Sequence, residues 1–194
     1  MPKRFYFVIN NTLHWSEYLE SAKCQRCSRN TIIGIGLCWQ HTVKEKKLRI
    51  RKSTIGDFDG LFAQTTIRTP AEIGDIVFRK DDNIIEYAGQ HIDQEERDKR
   101  YGNKTAPYAI EVRDDEYIDA ALYRSTAALA NTARGSGKRN NARLVTYVRN
   151  GLAHAALKAT RHIRDGEEIL CAYGAAYRFD ARFHTSTANR RRPG

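Results

Sequence analysis

No apolar run in this 194-residue chain approaches the ~20 residues that a membrane-crossing helix needs. The basic N-terminal stretch MPKRFYFVINNTLHWSEYL has polar Asn10, Asn11 and His14 where a secretory signal would be apolar. We therefore expect a soluble protein that makes no use of a membrane and is not secreted. No segment has a collagen-like or wholly disordered composition, and 41% hydrophobic residues are enough for a buried core. The length suits one ordinary domain with a small appendage.

Acidic residues are missing altogether from residues 134–164, which carry eight Lys/Arg. Residues 1–55 have only three Asp/Glu against eleven Lys/Arg, whereas residues 72–119 reverse the balance with fourteen acidic against seven basic. The net charge of +10 is thus unevenly spread. Basic segments suit a polyanion, so DNA or chromatin contact is expected of them, and the acidic middle suits a basic ligand. Plain solvated surface is the alternative for each patch.

Cysteine is scarce: Cys24, Cys27 and Cys38 cluster, and Cys171 stands alone. That is poor disulfide arithmetic and good metal arithmetic. In CQRCSRNTIIGIGLCWQH (24–41), Cys24 and Cys27 form one C-x2-C knuckle, and Cys38 and His41 form a matching C-x2-H. Three thiolates and one imidazole make a closed tetrahedral site for one structural zinc ion. So short a segment cannot bury a core of its own, and the metal would supply its folding free energy. The alternative is three free cysteines and a surface histidine; Cys171 reads as a small buried hydrophobe. IGIG (33–36) lacks the continuation of a dinucleotide-binding turn, and GSGK (135–138) has Arg139 where a phosphate loop needs Ser or Thr.

From Leu48 onward the texture is of short β-like runs: LRIRKST, AEIGDIVFR, NIIEYAG, YAIEVR, EYIDAAL, ARLVTYV, LAHAALKATRHI and EEILCAYG. The one convincing helical stretch, DQEERDKRYG, is polar and reads as exposed. Many short strands with little helix imply a mainly β domain of small sheets. ARGSGKRNNAR (133–143) reads as a basic, glycine-containing loop, and the segment ending ANRRRPG as a flexible basic tail.

Four segments occur in a telling order: STIGDFDGLFA (53–63), IIEYAG (84–89), YIDAALYRSTAALANTARGSGKRNNARLV (117–145) and ATRHIRDGEEILCAYGAAY (159–177). Together they resemble the SET-domain protein lysine methyltransferases, over roughly residues 48–177. The build is similar to that of the small SET proteins of large viruses and protists. The resemblance implies small β-sheets around a knot-like C-terminal crossing, with S-adenosylmethionine bound on one face and the target lysine entering from the other. It divides the chain into a zinc module (1–46), a SET domain (47–177) and a tail (178–194). It assigns Tyr173 as the catalytic tyrosine, with Tyr87 and Tyr108 beside it and Tyr177 and Phe179 lining the lysine channel. It places Gly60, Leu61 and Phe62 in a cofactor loop, with Asn131 and Tyr173 also touching the cofactor, and has Asn141 stabilise the crossing. Glu167 and Glu168 are expected to bond the turn. The implied partners are a histone tail or another lysine-rich basic peptide and, as in the small viral relatives, a second copy of the chain. The implied location is the nucleus or chromatin, or a virion if the source is viral.

Chemistry supports the same residue types. Methyl transfer from a sulfonium to an amine needs an uncharged amine, in-line alignment and exclusion of water. Lysine, with an ordinary pKa of about 10.4, is almost wholly protonated at neutral pH, and an apolar aromatic channel disfavours that charge. Tyrosines can orient the amine without the carboxylate that would keep it charged. Two departures stand against the pattern. The family's Asn-His-Ser reads Asn131-Thr132-Ala133, and its Gly-Asn reads Arg124-Ser125. The lost histidine and the altered asparagine loop, with the basic runs at 44–52 and 134–143, motivate a second expectation, a nucleic-acid or chromatin-binding module on an inactive SET scaffold. Methylation of a non-histone basic protein is a variant of the first.

Overall fold

The computed structural model describes residues 6–9, 12–15, 22–31, 37–68, 72–102, 106, 108–121 and 124–172. Two short hairpins come first, β1 (Tyr6–Ile9) with β2 (Thr12–Trp15), and β3 (Ala22–Lys23) with β4 (Asn30–Thr31). A single helical turn, α1 (Trp39–His41), runs into a π-type turn (Thr42–Lys46) that buries Thr42 and Val43. Lys47, in the left-handed region at φ 55°, ends it and turns the chain into the first strand of the main body.

That body is a set of small sheets, as its short β-branched runs require. β5 (Leu48–Lys52) pairs antiparallel with β6 (Asp59–Ala63), and Leu48, Leu61 and Ala63 are fully buried. Gly60, Leu61 and Phe62 were expected in a loop; they lie in strand β6 because the apolar GLFA run pairs with LRIRK, and the loop is the segment 53–58 before them. β7 (Ile76–Phe78) pairs with β14 (Ile163–Arg164), so LAHAALKATRHI is two strands rather than one. β9 (Gln90–Asp93), β11 (Glu116–Asp119) and β10 (Ala109–Arg113) form a three-stranded antiparallel sheet.

The largest sheet has the order β15 (Cys171–Ala172), β12 (Ala142–Arg149), β13 (Leu152–Ala159), β8 (Asn83–Tyr87). The β12–β13 hairpin closes through Asn150 and Gly151, both at positive φ (54° and 79°), the two-residue turn whose twist matches its strands. Ala153, Ala155, Leu157 and Ala159 alternate onto the core, where they meet Leu48, Leu61, Ile118, Ile163 and Ile169.

The helix α2 (Gln94–Tyr101) departs from its expected exposure. Asp93 caps it by accepting from the Glu96 N–H at 2.8 Å, but its last turn is buried. Arg100 donates to Asp119 (2.9 Å), Glu96 (2.7 Å) and Gln90 (2.9 Å), and the Tyr101 hydroxyl donates to the same Asp119 carboxylate at 2.9–3.0 Å. A polar sequence therefore anchors itself on one buried acid. Among the described residues, no helix is long and apolar enough to cross a membrane.

Residues 166–172 run between two walls. On one side the Gly166 N–H donates to Ala63 O (2.9 Å), the Ile169 N–H donates to Leu61 O (2.7 Å), and Glu167 O accepts from the Ala63 N–H (2.9 Å). On the other side the Cys171 N–H donates to Asn131 O (2.7 Å), and Leu170 O accepts from the N–H groups of Asn141 (2.9 Å) and Ala142 (3.0 Å). The Asn141 side chain closes the passage, accepting from the Leu170 N–H and donating to Glu168 O, both at 2.8 Å. The tail, 178–194, lies outside the described residues.

Candidate active site and metal centre

The four expected metal ligands converge. The β3–β4 hairpin carries the first knuckle, whose turn is held by Cys24 N–H to Arg29 O (2.9 Å) and Cys27 N–H to Cys24 O (3.3 Å). Cys38 precedes α1 and His41 ends it, so three residues of helical rise bring both side chains to one side. His41 Nδ1 lies 3.3, 3.6 and 3.4 Å from the sulfurs of Cys24, Cys27 and Cys38, and the sulfurs of Cys27 and Cys38 are 3.8 Å apart. Ligands at ordinary zinc bond lengths occupy tetrahedron corners about 3.8 Å apart for two sulfurs and about 3.5 Å for sulfur and nitrogen. The cluster, with all four ligand atoms within 4.8 Å of one another, can hold a zinc ion. Burial raises the Cys24 thiol, but the backbone of Cys38 and Arg26 and the side chains of His41 and Cys27 outweigh it and hold it down at about 6. A thiolate is what the metal requires. An Arg26–Glu45 ion pair (3.1 Å) ties the first knuckle to the helical turn after the second.

At the other candidate centre, Gly60, Asn131 and Glu168 meet. A Cβ at position 60 would lie 2.3 Å from Glu168 Oε1 and 3.3 Å from Asn131 Nδ2, so only glycine admits this approach. Glu168 is buried and accepts from the Ser53 hydroxyl (2.6 Å), the Thr54 N–H (2.8 Å) and the Thr54 hydroxyl. Glu167 bonds the turn itself, accepting from the Arg164 N–H at 2.7 Å and from Arg161 at 3.0 Å. The Asn131 side chain donates one amide N–H to Asp59 O (2.9 Å), while its main-chain carbonyl accepts from the Cys171 N–H (2.7 Å). Asn131 therefore fastens the start of β6 to the segment leading to position 173. Leu61 and Phe62 are buried, Leu61 in the core and Phe62 beneath the Arg51 guanidinium at 3.9 Å.

Tyr87 and Tyr108 form a second group. Tyr87 ends β8, buried, and its hydroxyl donates to Tyr108 O at 2.8 Å. The half-buried Tyr108 ring lies 4.4 Å from the Arg124 guanidinium. Tyr87 lies on the β8 edge of the four-stranded sheet, whose other edge is β15, and Asn131 bridges to Leu170 just before β15. The 3-10 turn Thr126–Leu129 leads from one to the other. Ser125 caps it and donates its hydroxyl to Glu86 O at 2.6 Å. Tyr173, Tyr177 and Phe179 lie outside the described residues.

Sequence reasoning missed the Ser53/Thr54–Glu168 lock and the roles of Arg124 and Ser125. Ser-Thr ahead of AAL is a helix-cap signal that was there to read. Contact between Tyr87 and Tyr108, and the burial of Arg124, have no local signal.

The family model for the SET domain matches residues 59–174. No curated protein matches the chain. Among solved structures, polycomb repressive complex 2 of Chaetomium thermophilum (ctPRC2) is similar in three forms. In an autoinhibited conformation bound to S-adenosylmethionine it is 25% identical with a TM-score of 0.51, over 68% of this chain. An apo form with two substitutions in Ezh2 gives 24% and 0.52 over 69%, and a further crystal structure 22% and 0.50 over 68%; these two speak to the fold alone. This chain spans 16% of the length of each.

Proposed function

The chain belongs to the SET-domain family, and from that premise we propose that it is an S-adenosylmethionine-dependent protein-lysine N-methyltransferase acting on a histone tail. The observation that carries the reading is the family match over 59–174, joined to the meeting of Gly60 and Asn131 beside the segment that enters Tyr173. The likeness to a chain bound to S-adenosylmethionine supports it. The residues fit the donor: among the described residues, Asn131 gives one side-chain amide N–H to Asp59 O, and its second N–H is left for a ligand.

When bound, S-adenosylmethionine supplies a methyl carbon on a sulfonium, the sulfur taking the bond pair as it leaves. The protein's part is to present an uncharged amine in line. Tyr87 and Tyr108, with Tyr173, Tyr177 and Phe179, would line the passage, exclude water and disfavour the ammonium. The Tyr173 hydroxyl would orient the amine lone pair, and the proton shed by the amine would leave to solvent. Alignment of this kind contributes up to roughly 7–11 kcal/mol. The acidic 72–119 segment would steer a lysine-rich peptide inward. Action on chromatin would place the protein in a nucleus, or in a virion if the source is viral. Small relatives of this build suggest a homodimer.

Mass spectrometry of histone peptides incubated with protein and S-adenosylmethionine is the test. Methylated lysine is expected, and Tyr173→Phe should lower turnover at least tenfold with cofactor binding kept. Methylation confined to another basic protein would keep the chemistry and replace the substrate. A second reading, a nucleic-acid or chromatin-binding module on an inactive scaffold, draws on Thr132 in the histidine position and on the self-bonded 133–140 loop, where Asn140 accepts from the Ala133 N–H at 2.8 Å. Calorimetry separates the two: no heat with S-adenosylmethionine favours the module.

A further inference from the structure

Two basic runs far apart in the sequence, 44–52 and 134–143, meet on the β5–β6 hairpin: Lys138 Nζ reaches Thr54 Oγ1 at 2.5 Å. Arg49 and Arg51, two residues apart on β5, point to the same face. The Arg49 guanidinium lies 4.3 Å from the Trp39 ring centroid and Arg51 3.9 Å from that of Phe62, while Phe62 sits directly across the strands from Arg49. The order Trp39, Arg49, Phe62, Arg51 is thus a ladder of alternating rings and guanidinium groups. Trp39 is 44% exposed and stands between the metal ligands Cys38 and His41, so the cluster fixes where it sits.

Among the described residues, Arg49, Arg51 and Lys138 form no ion pair with a carboxylate. The acids nearby are Asp165, which accepts from the Thr65 N–H (2.9 Å) and hydroxyl (2.8 Å), Glu168, which is spent on Ser53 and Thr54, Asp57, which takes Lys52 (2.5 Å), and Glu72 on the rim. Arg49 gives one donor to Ile67 O (2.9 Å) and Arg51 one to Gly166 O (3.2 Å), out of five each. Arg51 Nε, although buried, has no hydrogen-bond partner among the described residues. Arg51 borders an open cleft of about 470 Å³ with Lys52, Thr54, Phe62 and Glu72. Its charge is disfavoured by burial and then by Arg49, against which Asp165 and Glu168 favour it, and the net shift is downward, which a bound anion would oppose.

We propose that this face, Trp39, Arg49, Phe62 and Arg51 with Lys138 beside it, binds the phosphate backbone of a nucleic acid, and that the zinc cluster serves to hold Trp39 against Arg49. Planar guanidinium groups pre-set on rings match phosphate oxygens two at a time. Two residues of strand advance about 6.7 Å, close to the ~6.8 Å that two phosphates advance along one DNA strand. The proposal stands whether or not the chain transfers methyl groups.

The test is anisotropy of a short labelled DNA duplex, and of a single-stranded RNA of equal length, with the zinc-loaded full chain over a salt series. Binding should weaken linearly in log–log form. Arg49→Gln with Arg51→Gln should lower the slope by about 2 and Lys138→Gln by about 1, since each phosphate contact contributes roughly 0.9. Arg113→Gln, in the acidic segment, should leave the slope unchanged. The tighter probe identifies the kind of nucleic acid. If the double variant loses zinc or its fold, Lys138→Gln decides, its loop being remote in sequence from the knuckles. Absence of binding at low salt, an unchanged slope in the folded variants, or preference for a poly-glutamate peptide over both nucleic acids would overturn the proposal.

Discussion

The carboxylate of Glu168 holds two successive residues, Ser53 and Thr54, and fills the space that a side chain at position 60 would claim. Glu168→Gln keeps the shape and removes the charge from a buried acceptor. It is expected to lower stability by about 2 kcal/mol, read as a shift in urea midpoint at constant slope. Cys171 gives a test in pH. Burial pushes its thiol up from 9.0 to about 12. The unfolded chain therefore loses this proton near pH 9 while the folded chain keeps it, so the contribution is complete below pH 9 and is lost as pH rises towards 12. Cys171→Ala should flatten that part of the alkaline stability curve, and native Cys171 should resist alkylation at pH 8.5, where exposed thiols react.

At the scale of elements, α2 is stable where it is because its last turn is tied to Asp119. Arg100 and Tyr101 both donate to that fully buried carboxylate, and Asp119 also accepts from the Ala121 N–H at 3.0 Å. Asp119→Ala leaves the buried Arg100 with only the half-exposed Glu96 as its acid and the buried Tyr101 hydroxyl without its acceptor, and is expected to cost roughly 3 kcal/mol, with α2 exchanging its amide protons faster than the β12–β13 hairpin. Nothing in the polar string DQEERDKRYG announces this, since an acid 19 residues beyond Arg100 is invisible to local pattern. The four metal ligands were legible for the opposite reason: their chemistry is carried by two-residue spacings. Asn150-Gly151 was equally readable as a hairpin turn. GLFA was placed correctly in sequence but misread as a loop, because its partner LRIRK lies across a six-residue connection. The meeting of Tyr87 with Tyr108, and of Lys138 with Thr54, is purely tertiary, and no single segment encodes it.

For the molecule as a whole, the segment carrying the four metal ligands is bonded to the β5–β6 hairpin through Lys47, whose N–H donates to Val43 O and whose carbonyl accepts from the Gln64 N–H, both at 2.9 Å. Metal loss should therefore be felt in β5–β6 as well as in the knuckles. Metal analysis is expected to find one zinc per chain. A chelator should lower the melting temperature by roughly 5 °C or more, with recovery on adding zinc but not magnesium.

The placement of residues 166–172 between β6 and the 131–142 stretch has a consequence for how the chain comes into being. Its two walls leave the ribosome well before the strip that fills the gap between them, in one case about a hundred residues earlier. Until that strip emerges, β6 has β5 on one edge but no partner on the other, and the main chain of Asn131 to Ala142 lacks the bonds it makes to Leu170 and Cys171. The nascent chain must wait, half-assembled and adhesive, for its closing piece, which makes the interval before that piece emerges the time when a chaperone would matter most.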